Sequence, residues 1–197
     1  VANAILGGDR TGSRLFLNIR EQKGYTYDVF SVVSALKRGG TFFAGSETRN
    51  EVAFPAIREM LSEFDRMRNE QVSDEELQSA KNYLNGIFSL ALSTQGGVAD
   101  RVVQAYMLGL GGDYLQNFRA RIEAVTAGQV QQIARKYMTS DDATIVIVGD
   151  AAKLSKGLSP LGPLTVLKAE GKPKKRDGRS QAFNKRKRGA SQAAPGH

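Results

Sequence analysis

Arg20 and Tyr27, seven residues apart in the run SRLFLNIREQKGYTY, are the side chains whose types and spacing are best suited to act on another molecule. A guanidinium and a phenol brought together form a donor pair that suits a peptide carbonyl or a carboxylate. The local pattern allows them to meet. Leu15, Phe16 and Ile19 recur at helical spacing, Gly12 or Ser13 can cap the start, and Lys23-Gly24 can end a helix of about ten residues. Arg20 then lies at the edge of the apolar face, its stem on the core and its head at the helix end. Gly24 permits a left-handed turn into a strand on which Tyr25 and Tyr27 share one face. A plainer reading stays open, in which Arg20 pairs with Glu21 or another carboxylate and Tyr27 is a half-buried strand aromatic.

Other chemistries lack their residues. The only histidine is His197, the last residue of a polar tail, and there is no cysteine. A catalytic zinc site takes two or more histidines, or histidine with carboxylate, from fixed elements; a Ser-His-Asp triad also needs a placed imidazole. Gly7-Gly8 lacks the rest of a phosphate-binding loop and reads as a helix stop. Asp141-Asp142 reads as a solvated turn, because adjacent side chains at a strand entrance point apart.

Around the Arg20 stretch the periodicity predicts a helix–hairpin–helices–strand order. Val1–Leu6 is the tail of a helix whose start, with a preceding strand, is expected upstream. Tyr25–Leu36 and Thr41–Glu47 are strands joined by KRGG. Asn50 can cap a helix carrying Ile57, Met60, Leu61, Phe64 and Met67, with Pro55 forcing either a later start or a distorted first turn. Ser73 and Glu76 form a capping box before Leu77, Ala80, Leu84, Ile87 and Ala91, and Gly86 inside that helix suggests a close helix contact. Further helices are expected over Val98–Leu110, after Asp113, and from Thr126 with Gln129. ATIVIVGD, residues 143–150, reads as a central strand and GPLTVL, residues 162–167, as a short edge strand. The expected fold is α+β: a two-layer sandwich with a mostly antiparallel sheet and helices on one face.

The net charge of +8 is unevenly spread: residues 170–197 hold nine Lys and Arg against two Asp and Glu, leaving nineteen against eighteen elsewhere. Basicity is thus a property of the tail, which has no apolar period and is expected to be disordered, either as a mere solvated tail or as an import signal or nucleic-acid tether. A nucleic-acid-binding domain does not follow from the charge. Mean hydropathy is −0.35 and no apolar run approaches the roughly 18 residues of a membrane span.

The run LGGDRTGSRLFLNIREQKGYTYDV resembles the signature of the non-catalytic half of the pitrilysin or insulinase-like zinc peptidases. The matching positions are Leu6, Gly7, Gly8, Ser13, Arg14, Leu15, Phe16, Arg20, Glu21, Gly24 and Tyr27, with Ile19 where the pattern usually has leucine. The similarity extends over about residues 1–150. It implies a domain over 1–169, lacking its first strand, followed by the tail 170–197. It also implies that Arg20 and Tyr27 bind a peptide substrate held at a zinc ion, and that a partner half in the same chain or another subunit carries that zinc. This chain would be inactive alone. The resemblance leaves a second possibility, a catalytically silent assembly subunit.

Overall fold

The computed structural model describes residues 1–140 and 143–167. A first compact unit runs from Val1 to Gly162, and a second begins at Pro163. The first unit is α+β. Its sheet is one antiparallel hairpin, β1 (Thr26–Ala35) and β2 (Gly40–Thr48), paired from Thr26 opposite Thr48 to Ala35 opposite Gly40. Gly39 and Gly40 have positive φ, as the tight KRGG reversal requires.

Two short helices precede the hairpin, Ala4–Gly8 and Phe16–Gln22, each wound with i→i+5 hydrogen bonds, a widened turn that recurs at functional sites. Helices α1 (Ala53–Asn69), α2 (Asp74–Ala91), α3 (Gln95–Met107), α4 (Tyr114–Glu123), α5 (Ala127–Tyr137) and α6 (Ala151–Leu158) follow. The main core joins Leu6, Leu15, Ile19 and Val29 to Phe64 and Met67 of α1, Leu77 and Ala80 of α2, and Val130 and Ala134 of α5. Each large apolar side chain withdrawn from water there contributes about 1.5–3 kcal/mol.

Local signals account for most helix boundaries. The Ser73–Glu76 and Thr126–Gln129 capping boxes both form. Pro55 sits in the first turn of α1, where its missing N–H would have had no intrahelical partner, and the turn before it, Asn50–Val52, is wound as a 3₁₀ helix. Asp113 stands at the start of α4, but its carboxylate accepts from the Asn117 amide and not from the helix backbone. The helix expected from Val98 begins earlier, at Gln95, because Thr94 accepts from the Gly97 N–H.

Several expectations fail. Residues 143–148 have no regular secondary structure and no strand partner among the described residues, so the expected central strand is not formed there; residues 163–167 likewise form no strand. A β-branched run is strand-prone but needs a neighbour's backbone to become one. Gly86 marks no close contact: a Cβ there would meet nothing within 4 Å. The tight glycine is Gly7, where a Cβ would lie 2.6 Å from the Ser31 N and 2.8 Å from Leu15 Cδ1. Gly7 is therefore a packing contact inside the first helix, which ends at Gly8 as expected of the pair. The tail 170–197 and the Asp141-Asp142 turn lie outside the described residues.

Candidate functional site

The helix Phe16–Gln22 is fastened at several points, which sets where Arg20 stands. Just before it, Arg14 is buried and donates from Nε and Nη2 to the two carboxylate oxygens of Glu76 on α2, at 2.7 and 2.9 Å. Glu76 thus serves both the α2 capping box and this fork. The Arg14 hydrogen bonds hold its carboxyl below the usual range, against the opposing effect of burial. Asn18 donates to Glu63 at 2.7 Å and to Glu59 at 3.0 Å, both on α1. Glu63 is 2% exposed and is neutralised by Arg66 at 3.1 Å. Ser13 does not cap the helix with its hydroxyl, which is buried without a partner among the described residues; its carbonyl accepts from the Leu17 N–H.

The turn after the helix is equally constrained. Gly24 has φ +62°, the left-handed conformation expected of it. The Gly24 N–H donates to the Arg20 carbonyl and the Tyr25 N–H to that of Ile19, so strand β1 leaves the helix end at a fixed angle. A bulge then adds one residue to β1 between Thr26 and Val29. The Thr26 hydroxyl locks it, donating to the Glu47 carbonyl at 2.6 Å and accepting from the Asp28 N–H at 3.1 Å. Bulges re-aim side chains. Here the result corrects the expected sharing of a face: Tyr25 packs against the core, whereas Tyr27 is 89% exposed.

Arg20 and Tyr27 do come together. The Arg20 guanidinium carbon lies 4.6 Å from the Phe16 ring centroid and 5.6 Å from that of Tyr27, so the cation rests on two aromatic rings. Phe16 is one helical step below Arg20, the i,i+4 relation that stacks side chains. Glu21 is 3.8 Å from Arg20 Nε, a loose ion pair. Among the described residues neither the Arg20 side chain nor the Tyr27 hydroxyl is hydrogen-bonded, so both keep their donors for an outside acceptor. Sequence spacing foresaw the approach of the two residues; it missed Phe16 as the supporting ring and the bulge that turns Tyr27 outward.

Neither residue lines either of two cavities among the described residues. A polar cavity of about 410 Å³ lies on the α1 side of the same helix, among Arg14, Asn18, Lys23, Glu59, Glu63 and Arg66. A larger one, about 910 Å³, runs between β2 and residues 143–148 over α1. No group of three or more His, Cys, Asp or Glu is placed to hold a metal among the described residues. Glu76, Glu63 and Glu59, which fasten the same helix, are engaged by Arg14, Asn18, Lys23 and Arg66. This donor set does not fit a catalytic zinc. No described helix is long and apolar enough to cross a membrane.

The first unit is thus an α+β domain that carries an outward-facing cation-aromatic pair. In comparison with known proteins, residues 1–84 match the family described as the peptidase M16 inactive domain, and the chain is similar to zinc proteases. An uncharacterized zinc protease of Streptomyces coelicolor is 28% identical over 138 residues, covering 70% of this chain and 30% of that protein. The uncharacterized zinc protease YmxG of Bacillus subtilis is 28% identical over 150 residues, 75% and 36% of the respective chains. The chain thus spans about a third of the length of these curated relatives. Its fold is similar to the crystal structure of a peptidase M16 inactive domain from Pseudomonas fluorescens, with a TM-score of 0.64 and 26% identity over 69% of this chain and 32% of that one. The inactive peptidase domain of a zinc protease from Bordetella parapertussis superposes with a TM-score of 0.61 at 19% identity, covering 73% and 77%.

Proposed function

We propose that this chain is the substrate-binding, non-catalytic half of an M16-type zinc peptidase, assisting peptide hydrolysis at a zinc ion carried by another domain or subunit. The observation that carries this reading is the Arg20 guanidinium held on the Phe16 and Tyr27 rings with its donors unspent, beside an exposed phenol. Such a pair can grip a peptide carbonyl through a charge-assisted bond and a second, phenolic one. Stacking orients the guanidinium without consuming its N–H groups, so little reorganisation is needed when a substrate arrives. The inactive-domain match over residues 1–84 supports the division of labour, since it includes both residues.

The test measures turnover and thermal stability of Arg20→Ala and Tyr27→Phe in the assembly with the zinc-bearing half. Loss of the arginine bonds should cost roughly 1.5–3 kcal/mol in transition-state stabilisation. If the bond forms chiefly to the developing oxyanion, kcat falls about 10²-fold or more. The melting temperature should hold, because both groups stand at the surface. Unchanged turnover in both variants, or a stability loss large enough to explain the defect, would return the pair to a structural role and favour a silent assembly subunit.

A further inference from the structure

The bulge that turns Tyr27 outward is held by a second contact, made by the loop between the first two helices. Thr26 stands opposite Thr48 and Val29 opposite Ser46, so Tyr27 and Asp28 together face the single residue Glu47. Were β1 straightened with Val29 in place, Tyr27 would share the face of Val29, which is fully buried, and would leave Arg20. The extra residue must therefore be kept in the strand. Thr26 does this through the backbone, its hydroxyl bridging the Asp28 N–H and the Glu47 carbonyl.

Arg10 does it through a side chain. Its Nη1 donates to both carboxylate oxygens of Asp28 at 2.7 Å, and its guanidinium carbon lies 5.4 Å from the centroid of the Phe30 ring. Phe30 is fixed in turn: it meets Phe43 edge-on at 6.0 Å and leans over Gly45, where a Cβ would come within 3.1 Å of the ring. The loop that carries Arg10 is folded by Asp9, whose Oδ1 accepts from the Thr11 N–H at 2.9 Å and from the Thr11 hydroxyl at 3.0 Å. We propose that Arg10, Asp28 and Thr26 are positioning residues, which hold the β1 bulge in the register that brings the Tyr27 ring to the Arg20 guanidinium.

Stability of the whole domain does not account for the Arg10–Asp28 pair. Its side chains are 62% and 50% exposed, and an ion pair that open adds little to global folding. A bias of about fivefold between two local conformers is within its reach, and that is the scale on which an exposed side chain is oriented. The pair also occupies the carboxylate next to Tyr27. Left free, Asp28 would compete for the guanidinium resting on the neighbouring ring and take up donors that a peptide carbonyl needs. The clamp itself stands on geometry; its consequence for turnover rests on Arg20 and Tyr27 being the pair that grips the peptide.

Two readouts keep those claims apart. NMR of the 1–197 protein measures cross-relaxation between the Tyr27 ring protons and the Arg20 side chain in Thr26→Val and Arg10→Ala, beside the conservative variants Thr26→Ser and Arg10→Lys. The Tyr27–Arg20 cross-peaks should weaken several-fold in the first two and persist in the second two, with melting temperatures nearly unchanged. In the assembly with the zinc-bearing half, KM for a peptide substrate should rise about fivefold in Arg10→Ala while kcat changes less, because a smaller share of the protein is poised to bind. Unchanged cross-peaks in both Thr26→Val and Arg10→Ala would overturn the clamp. So would cross-peaks lost equally in the conservative variants, or lost only in step with a fall in melting temperature. Cross-peaks lost while turnover holds would uphold the clamp and count instead against the peptide-binding role of Tyr27.

Discussion

Arg20 is a cation whose surroundings satisfy its flat face and leave its edge free. The Phe16 and Tyr27 rings contribute about 0.5–1 kcal/mol each at an exposed site, enough to bias a long side chain toward one rotamer. Phe16 is then a positioning residue. Phe16→Leu keeps an apolar side chain in the core but removes the ring, and substrate binding should weaken several-fold in the assembly while Tyr27→Phe leaves the stack intact. Steady-state kinetics on the two variants separate them, and equal effects on KM would count against stacking as the orienting force. A second residue-scale expectation concerns Glu76, whose carboxyl is held below its ordinary value of 4.5 by the Arg14 hydrogen bonds. A depressed acid contributes stability that is fully present above the unfolded value and is lost as pH falls through the folded one. Acid titration of the melting temperature should therefore show a decline below about pH 4.5 that is shallower in Glu76→Gln. Parallel profiles would show that other carboxylates dominate.

Among the elements, two glycines with the same residue type have opposite expected behaviour. Gly7 lies where the first helix crosses β1, and an added methyl would press on the Ser31 backbone at 2.6 Å. Gly7→Ala should destabilise by about 1–3 kcal/mol, the usual cost of overpacking. Gly86 is exposed within α2 with nothing near it, so Gly86→Ala should stabilise by up to about 1 kcal/mol through helix propensity. Denaturant unfolding of both variants measures the contrast, and a destabilised Gly86→Ala would reveal a neighbour that the first unit does not contain. The same crossing explains the fastening of the arginine helix: Arg14, Asn18 and Lys23 each reach a carboxylate on α1 or α2, so the element bearing Arg20 moves only if those helices move.

At the scale of the whole chain, charge and fold are separate matters. Residues 1–169 are close to neutral and the excess of basic groups falls in 170–197. Deleting 170–197 should shift the melting temperature by no more than a few degrees and abolish any salt-sensitive retention on a polyanion column. A large loss of stability would assign those residues a packed role.

Short-range chemistry in the sequence determined the capping boxes at Ser73 and Thr126, the Gly24 reversal, the KRGG hairpin and the approach of Arg20 to Tyr27. Each depends on residues within about ten positions of one another, where φ preferences and side-chain periodicity decide the outcome. Tertiary structure alone decided the rest. The bulge at Thr26 turned Tyr27 away from the core that holds Tyr25, and the bidentate Arg14–Glu76 contact joined residues 62 positions apart. Gly7 acquired its meaning from Ser31, and Gly86 lost the one its helix context suggested. The run 143–148 has every local mark of a strand and is not one, since a strand is completed by the backbone beside it and no described residue supplies that backbone.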